Sequence, residues 1–175
     1  HIPFDIGDVN LDYELTGKSS ETLHVLMAAC KSDKIANVKQ AIQLAGKQPV
    51  IIDVDAFALQ NCYEVNYQPR AGEVVALLNV GAATMNINIL NGTRSVFARD
   101  ASVGGSQYSS LLQKELGLSF EQAEAVKRGM TLPDGVEPNP IQPIIETVSD
   151  ILALEVKKTF DFYRATAQES DAAIH

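Results

Sequence analysis

The sequence predicts an α+β fold, a mixed α/β arrangement with its strands and helices grouped in runs, and three observations carry that reading. Apolar residues alternate with polar ones over Val9, Leu11, Tyr13 and Leu15, and again over Met85, Ile87 and Ile89, the period of a strand with one covered face. Asn91-Gly92 lies between two strand-like runs, the strongest short hairpin signal, and predicts a type I′ turn. Near the end, Ile144, Val148, Ile151, Leu152, Val156, Phe160 and Tyr163 mark one stripe of a helix of about 25 residues, roughly 37 Å long.

The first segment reads as ββαβα. Strands at 9–15 and 23–30 come first, with His24 on one strand face. "SDKIANVKQAIQLAG" follows, with Ile35, Val38, Ala41, Ile42 and Ala45 at helical spacing, Ser32 or Asp33 to cap it and Gly46 to end it. Pro49 to Val54 reads as a strand, and Asp53 or Asp55 can cap a short helix through "AFALQNCYEV". "NYQPRAGE" is polar and carries Pro69 and Gly72, which makes it the expected boundary between residues 1–66 and 73–175. Gly17-Lys18-Ser19 imitates the end of a Walker loop, but the first glycine of that motif would fall at Asp12 inside a strand, and no helix follows.

Three strands in succession open the second segment: the apolar "VVALLNV", the run from Met85, and Arg94 to Asp100. Gly104-Gly105 breaks the chain before a helix capped by Ser106 and stopped by Gly117. Ser119 and Gln122 form a capping box, with Leu118 able to staple onto Ala123, so a short helix ends at Gly129. The loop "MTLPDGVEPNP" leads to the long helix, where Glu146 and Asp150 lie early and Lys157, Lys158 and Arg164 late, as the helix dipole favours. Three meandering strands followed by helices make an α+β unit.

Composition narrows the function. The 175 residues, 46% apolar and 21% charged, suffice for one domain or two small ones. A net charge of −8 opposes nonspecific binding to nucleic acid or anionic lipid. Apolar runs stay well short of the roughly 18 residues that cross a bilayer. Cys30 and Cys62 are expected to be buried free thiols in a reducing cytoplasm. The histidines, His1, His24 and His175, assemble neither a metal site nor a Ser/His/Asp set. Both ends read as cuts, since the chain opens on "HIPFD" without Met and stops just past a long helix.

The stretch with chemical interest is "LLNVGAATMNINILNGTRSVFARD", where a strand runs into Asn79-Val80-Gly81-Ala82-Ala83-Thr84 and turns on small residues. One reading is a plain hairpin. In the other, Gly81, Ala82 and Ala83 let backbone N–H groups approach an anion as a phosphate-binding nest, Thr84 adds a hydroxyl donor, and Asn79 lies beside the same point.

The line "ALLNVGAATMNINILNGTRSVFARDASVGGSQYSSLLQKELGLSFEQAEAVKRG" resembles the second half of the actin-like ATPase (ribonuclease H-like) fold shared by actin, Hsp70 and the cell-division protein FtsA. With "IPFDIGDVNLDYEL" before it and "TFDFYRATA" after it, the chain is similar to the PilM family of type IV pilus assembly proteins. The resemblance implies a second-half core with a helical subdomain, preceded by a small subdomain of FtsA and PilM type over residues 1 to about 48. It also implies a chain truncated before the adenine-binding glycine segment.

Carried over position by position, the resemblance places Asn79, Gly81, Ala82, Ala83 and Thr84 on the second phosphate loop. Gly104 and Gly105 match the glycine pair before the first helix of the upper subdomain, and Glu124 and Lys127 match an "A-E-x-x-K" helix that touches the nucleoside. Spacing agrees on one point: Glu124 and Lys127, at i and i+3, project from one helix face, where they can reach a ribose diol or simply pair in solvent. Asn79 departs from the family's acidic residue, and a neutral amide coordinates metal more weakly, so binding of ATP with Mg²⁺ is implied more firmly than hydrolysis. No catalytic residue emerges, although Asp100 is a candidate general base. Asp5-Ile6-Gly7 imitates the first phosphate loop but lacks a full strand ahead of it.

The function so implied is a cytoplasmic, actin-like ATP-binding scaffold of type IV pilus assembly and twitching, at most a weak ATPase, and weak or inactive in nucleotide binding as this piece alone. Its implied partners are the N-terminal tail of the inner-membrane protein PilN and other platform proteins, with membrane association only through a partner and possible self-association. A phosphotransferase of the acetate or sugar kinase kind and a purely structural interaction domain are the alternatives.

Overall fold

The computed structural model describes residues 5–18, 21–130, 132, 134–135, 137–166 and 174–175. It divides into two compact units, residues 1–54 and 55–175. The expected boundary at 67–72 thus moves upstream, because the helix preceding it is hydrogen-bonded to the sheet that follows.

In the first unit, β1 (Val9–Lys18) and β2 (Leu23–Lys31) form an antiparallel pair and lead into α1 (Ser32–Leu44). Register places Leu11 opposite Ala29, Tyr13 opposite Met27 and Leu15 opposite Val25, so the period-two pattern does gather these apolar side chains on one face. That face is open. None of the described residues of this unit is buried, and Tyr13 is 67% exposed. Helix α1 starts directly from Lys31 without a side-chain cap: Ser32 Oγ instead accepts from Asn10 Nδ2 at 3.2 Å, and the Asp33 carboxylate accepts the Lys34 N–H at 2.7 Å. Gly46 closes the helix at φ 73°. Residues 49–54 do not form the expected strand, because among the described residues no neighbouring strand receives their backbone groups, and Val50 is 88% exposed.

The second unit opens on α2 (Asp55–Tyr67) and continues into a meander of β3 (Val74–Val80), β4 (Met85–Asn91) and β5 (Arg94–Ala101), antiparallel in the order β3-β4-β5. The reversal between β4 and β5 falls where Asn91-Gly92 predicts it, but its type differs. Asn91 and Arg94 pair, leaving Gly92 and Thr93 as the central residues, and only Gly92 has positive φ, at 61°. That is the requirement of a II′ turn, not a I′ turn.

The two faces of this sheet have opposite character. On one, Met85, Ile87 and Ile89 pack with Val74, Ala101, Val156 and Tyr163 beneath α5 (Ile141–Thr166). On the other lie the β4 asparagines Asn86 and Asn88, and Asn88 Nδ2 donates to the carbonyl of buried Ala56 at 2.9 Å, fastening α2 there. Gln60 Nε2 adds a bond to the Thr93 carbonyl at 2.7 Å. At the outer edge, His175 N–H donates to Val74 O at 2.9 Å and Ala76 N–H to His175 O at 2.8 Å, so Ile174 and His175 add to β3 in parallel.

A separate core holds the helices α3 (Ser106–Leu116) and α4 (Phe120–Lys127) against the start of α5, through Leu112, Leu118, Ala123, Val126 and Ile144. The capping box is present, with Ser119 Oγ accepting from Gln122 N–H and Gln122 Oε1 from Ser119 N–H. Along α5 the covered stripe runs through Ile144, Val148, Thr159 and Tyr163, and Ile151 stays exposed. Thr159 is buried where an apolar residue would be expected because its hydroxyl serves the sheet, accepting from Arg99 Nη1 at 3.3 Å while donating to the Glu155 carbonyl. Both cysteines are free thiols, but Cys30 is only half-buried and Cys62 is exposed, contrary to the expectation that both are buried.

Candidate functional site

The residues expected to touch a nucleotide gather where β3 reverses into β4 and where α3 begins. In the reversal, Gly81 N–H donates to the Thr84 carbonyl at 2.9 Å. The expectation that this amide faces an anion is therefore corrected, since a bonded N–H has no second proton to offer. Ala82, Ala83 and Thr84 are exposed, and among the described residues their amides have no protein acceptor.

The carbonyls of the same loop face the helix. Gly81 O accepts Gly105 N–H at 2.9 Å, and Ala82 O accepts both Ser106 N–H at 2.8 Å and Ser106 Oγ at 2.5 Å. The first amides of α3, which a bare helix start would present to an anion, are thus consumed by the loop. Ser106 is correspondingly the first helical residue and not the cap, which is Gly105. A Cβ on Gly104 would lie 2.5 Å from Gly81 O and 2.6 Å from Ala82 O, so glycine is demanded here by backbone approach.

Next to this latch lie Glu124 and Lys127. Glu124 Oε1 accepts hydrogen bonds from Ser109 Oγ and Lys127 Nζ, while Lys127 Nζ also reaches Ser109 Oγ at 3.0 Å and Gly105 O at 3.4 Å. Arg128 Nη2 stands 3.7 Å from the other carboxylate oxygen. The pair is not a solvated surface ion pair, since the side chains of Lys127 and Glu124 keep only 24% and 21% of their exposure. The outer face of α4 carries a depression of about 440 Å³ lined by Phe120, Glu121, Glu124, Ala125, Arg128 and Met130. Glu124 is therefore both an internal tether and part of an open surface.

The Lys127 hydrogen bond, and after it that of Ser109, holds the Glu124 carboxyl below its usual value. A depressed folded-state value means that the tether stabilises above the unfolded-state pKa and is lost as pH falls through the folded one. Replacing Glu124→Gln should accordingly flatten the acid limb of stability below about pH 5, read as the urea midpoint against pH, while leaving its slope near neutrality unchanged.

A polar ladder crosses the sheet one residue inside the reversal. Asn79 Nδ2 donates to Asn86 Oδ1 at 3.0 Å, and Asn86 Nδ2 donates to Asp100 Oδ1 at 2.8 Å. The three residues are direct partners in the register of β3, β4 and β5. Among the described residues, no three His, Cys, Asp or Glu side chains are placed to hold a metal. A magnesium ion would be held here only as the companion of a bound phosphate, keeping most of its water, with the neutral Asn79 oxygen among the protein acceptors of the ladder.

The structure thus joins Gly81, Gly104, Gly105, Glu124 and Lys127 through direct contacts, and leaves Ala82, Ala83 and Thr84 open at the loop. Ser106, Ser109 and Asn86 take part without having been legible as site residues. Ser106 reads as a cap, Ser109 as a helix serine and Asn86 as the polar half of an alternation.

Comparison with known proteins decides the family. The family model for type IV pilus assembly protein PilM matches residues 1–174. The chain belongs to the PilM family. A solved PilM-PilN type IV pilus biogenesis complex matches with a TM-score of 0.80 at 26% identity, over 99% of this chain and 50% of that one. Residues 1–175 therefore span about half the length of that PilM-family relative. MreB5 of Spiroplasma citri, solved bound to ADP, matches at a TM-score of 0.57 and 14% identity over 81% of this chain, a likeness of fold that makes this PilM-family chain part of an actin-like architecture.

Proposed function

We propose that the protein containing this chain is an ATP-binding scaffold of type IV pilus assembly, working on the cytoplasmic side of the inner membrane and receiving the N-terminal tail of a PilN-type membrane protein. The observation that carries the reading is the match to the PilM-PilN complex across nearly the whole chain. The open amides at Ala82, Ala83 and Thr84 support the nucleotide part, because consecutive exposed N–H groups on small residues are the donors a phosphate needs. Asn79 in place of a carboxylate favours binding over turnover.

Melting of the full-length protein with ATP, with and without Mg²⁺, tests the nucleotide part. Saturation at a hundred times Kd adds about 2.7 kcal/mol to stability and raises Tm accordingly. Titration with a synthetic PilN-type tail tests the scaffold part, with one tail expected per protein. Rapid phosphate release would favour a phosphotransferase. A Tm indifferent to nucleotide would favour a structural domain, the reading supported by the internal bonding of the Gly81 and Gly105 amides.

A further inference from the structure

We infer that Asp100 is a positioning residue which, acting through Asn86, turns the Asn79 side-chain amide so that its oxygen, not its NH₂, is presented at the phosphate loop to Mg²⁺ or a magnesium-bound water. The inference rests on the nucleotide reading above for its ligand, and on the ladder alone for its geometry.

The direction of the ladder follows from proton counting. An ionised carboxylate only accepts, so the Asn86 group facing Asp100 must be its NH₂, as the 2.8 Å contact has it. Asn86 is 5% exposed, so its remaining oxygen has the cross-strand partner Asn79 as its donor and little else. Asn79 must then spend its own NH₂ on Asn86, at 3.0 Å, which leaves its Oδ1 with no protein donor among the described residues. One fixed charge at the edge of β5 thus sets the polarity of a side chain two strands away.

That polarity matters because residue 79 is an amide and not a carboxylate. A carboxylate has two equivalent oxygens and needs no orientation. An amide has one oxygen and one NH₂, and in the wrong orientation it turns a pair of protons toward a cation. The ladder removes that ambiguity, so a neutral residue at the end of β3, just ahead of the open amides of Ala82, Ala83 and Thr84, can still serve as an oxygen acceptor.

Full-length protein labelled with ¹⁵N-asparagine tests this, with the Asn79 and Asn86 side-chain signals assigned by single replacements. In Asp100→Ala both NH₂ signals should move and exchange faster with water. The Mg²⁺ midpoint of the ATP-linked melting shift should rise by about tenfold, the usual effect of losing an outer-shell partner. ATP without Mg²⁺ should bind as before. Adding Asn79→Asp to Asp100→Ala should restore the Mg²⁺ midpoint, because a carboxylate needs no turning, and a merely structural role for Asp100 would not be rescued this way. An Asn79 signal that ignores Asp100→Ala overturns the ladder. A Mg²⁺ midpoint that ignores it while ATP still binds overturns the cation role and leaves the nucleotide reading standing. A wild-type protein with no ATP-linked shift overturns the nucleotide reading and the cation role together, with the NMR signals still deciding the ladder.

Discussion

Gly104→Ala is expected to destabilise the second unit by about 3 kcal/mol, the upper range for forcing an extra carbon into a packed site. The added Cβ would fall 2.5 Å from one backbone carbonyl oxygen and 2.6 Å from another, and 2.8 Å from the Ala82 carbonyl carbon. Backbone atoms cannot swing aside as the end of a side chain can. Relief requires the loop at 81–84 to move away from the start of α3, which stretches the bonds from Gly105 and Ser106 to the loop carbonyls. Gly105→Ala is the matched control. Its nearest neighbour would be Gly81 O at an ordinary 3.7 Å and its φ is −61°, so no more than about 1 kcal/mol should be lost at this cap position. Urea midpoints of the two variants decide between them. Equal effects would mean that the loop and helix are not latched as described. Nucleotide-linked melting should fall with Gly104→Ala as well, because the same movement displaces the open amides.

The adjacent glycines show what was legible in the sequence and what was not. Position and residue type point to Gly104-Gly105 as special, yet the reason lies in contacts with residues more than twenty positions earlier, which no local pattern encodes. Local signals survived well where a single element decides them: the Ser119 capping box, the positive φ at Gly117 and Gly129, and the extent of α5. The turn after β4 was placed but mistyped, because pairing of Asn91 with Arg94 shifts the central pair by one residue. The run at 49–54 has strand composition, but among the described residues no strand pairs with it, and pairing, not propensity, makes a strand. Alternation at 9–15 told which side chains share a face without telling whether anything covers it. At the candidate site, Glu124 and Lys127 are singled out by the family resemblance, with spacing agreeing only that they share a helix face, whereas Ser109, which joins them, has no sequence signal because a helix serine is ordinary.

Asn88→Asp is expected to produce the largest pH-dependent loss of stability, about 3 to 5 kcal/mol at neutral pH, the scale for an uncompensated buried charge. Asn88 has no exposed surface, donates to the Ala56 carbonyl at 2.9 Å and accepts from Ser95 Oγ at 2.7 Å. Aspartate keeps the shape and the Ser95 bond, but it sets a carboxylate oxygen against a carbonyl oxygen in a site closed to water. Ionisation there is penalised, so the folded-state pKa of the new group would lie above the unfolded one. The sign follows: the penalty is fully present above the folded pKa and disappears below the unfolded value of about 3.9, where the protonated acid can donate to Ala56 as the amide did. Stability of the variant should therefore rise as pH falls from neutrality, opposite in direction to the Glu124 tether, and urea midpoints at several pH values read both. An Asn88→Asp protein as stable as the parent at neutral pH would mean that α2 does not close over this side of the sheet. The anchoring of α2 at Ala56, which places this helix with the second unit, would then have to be abandoned.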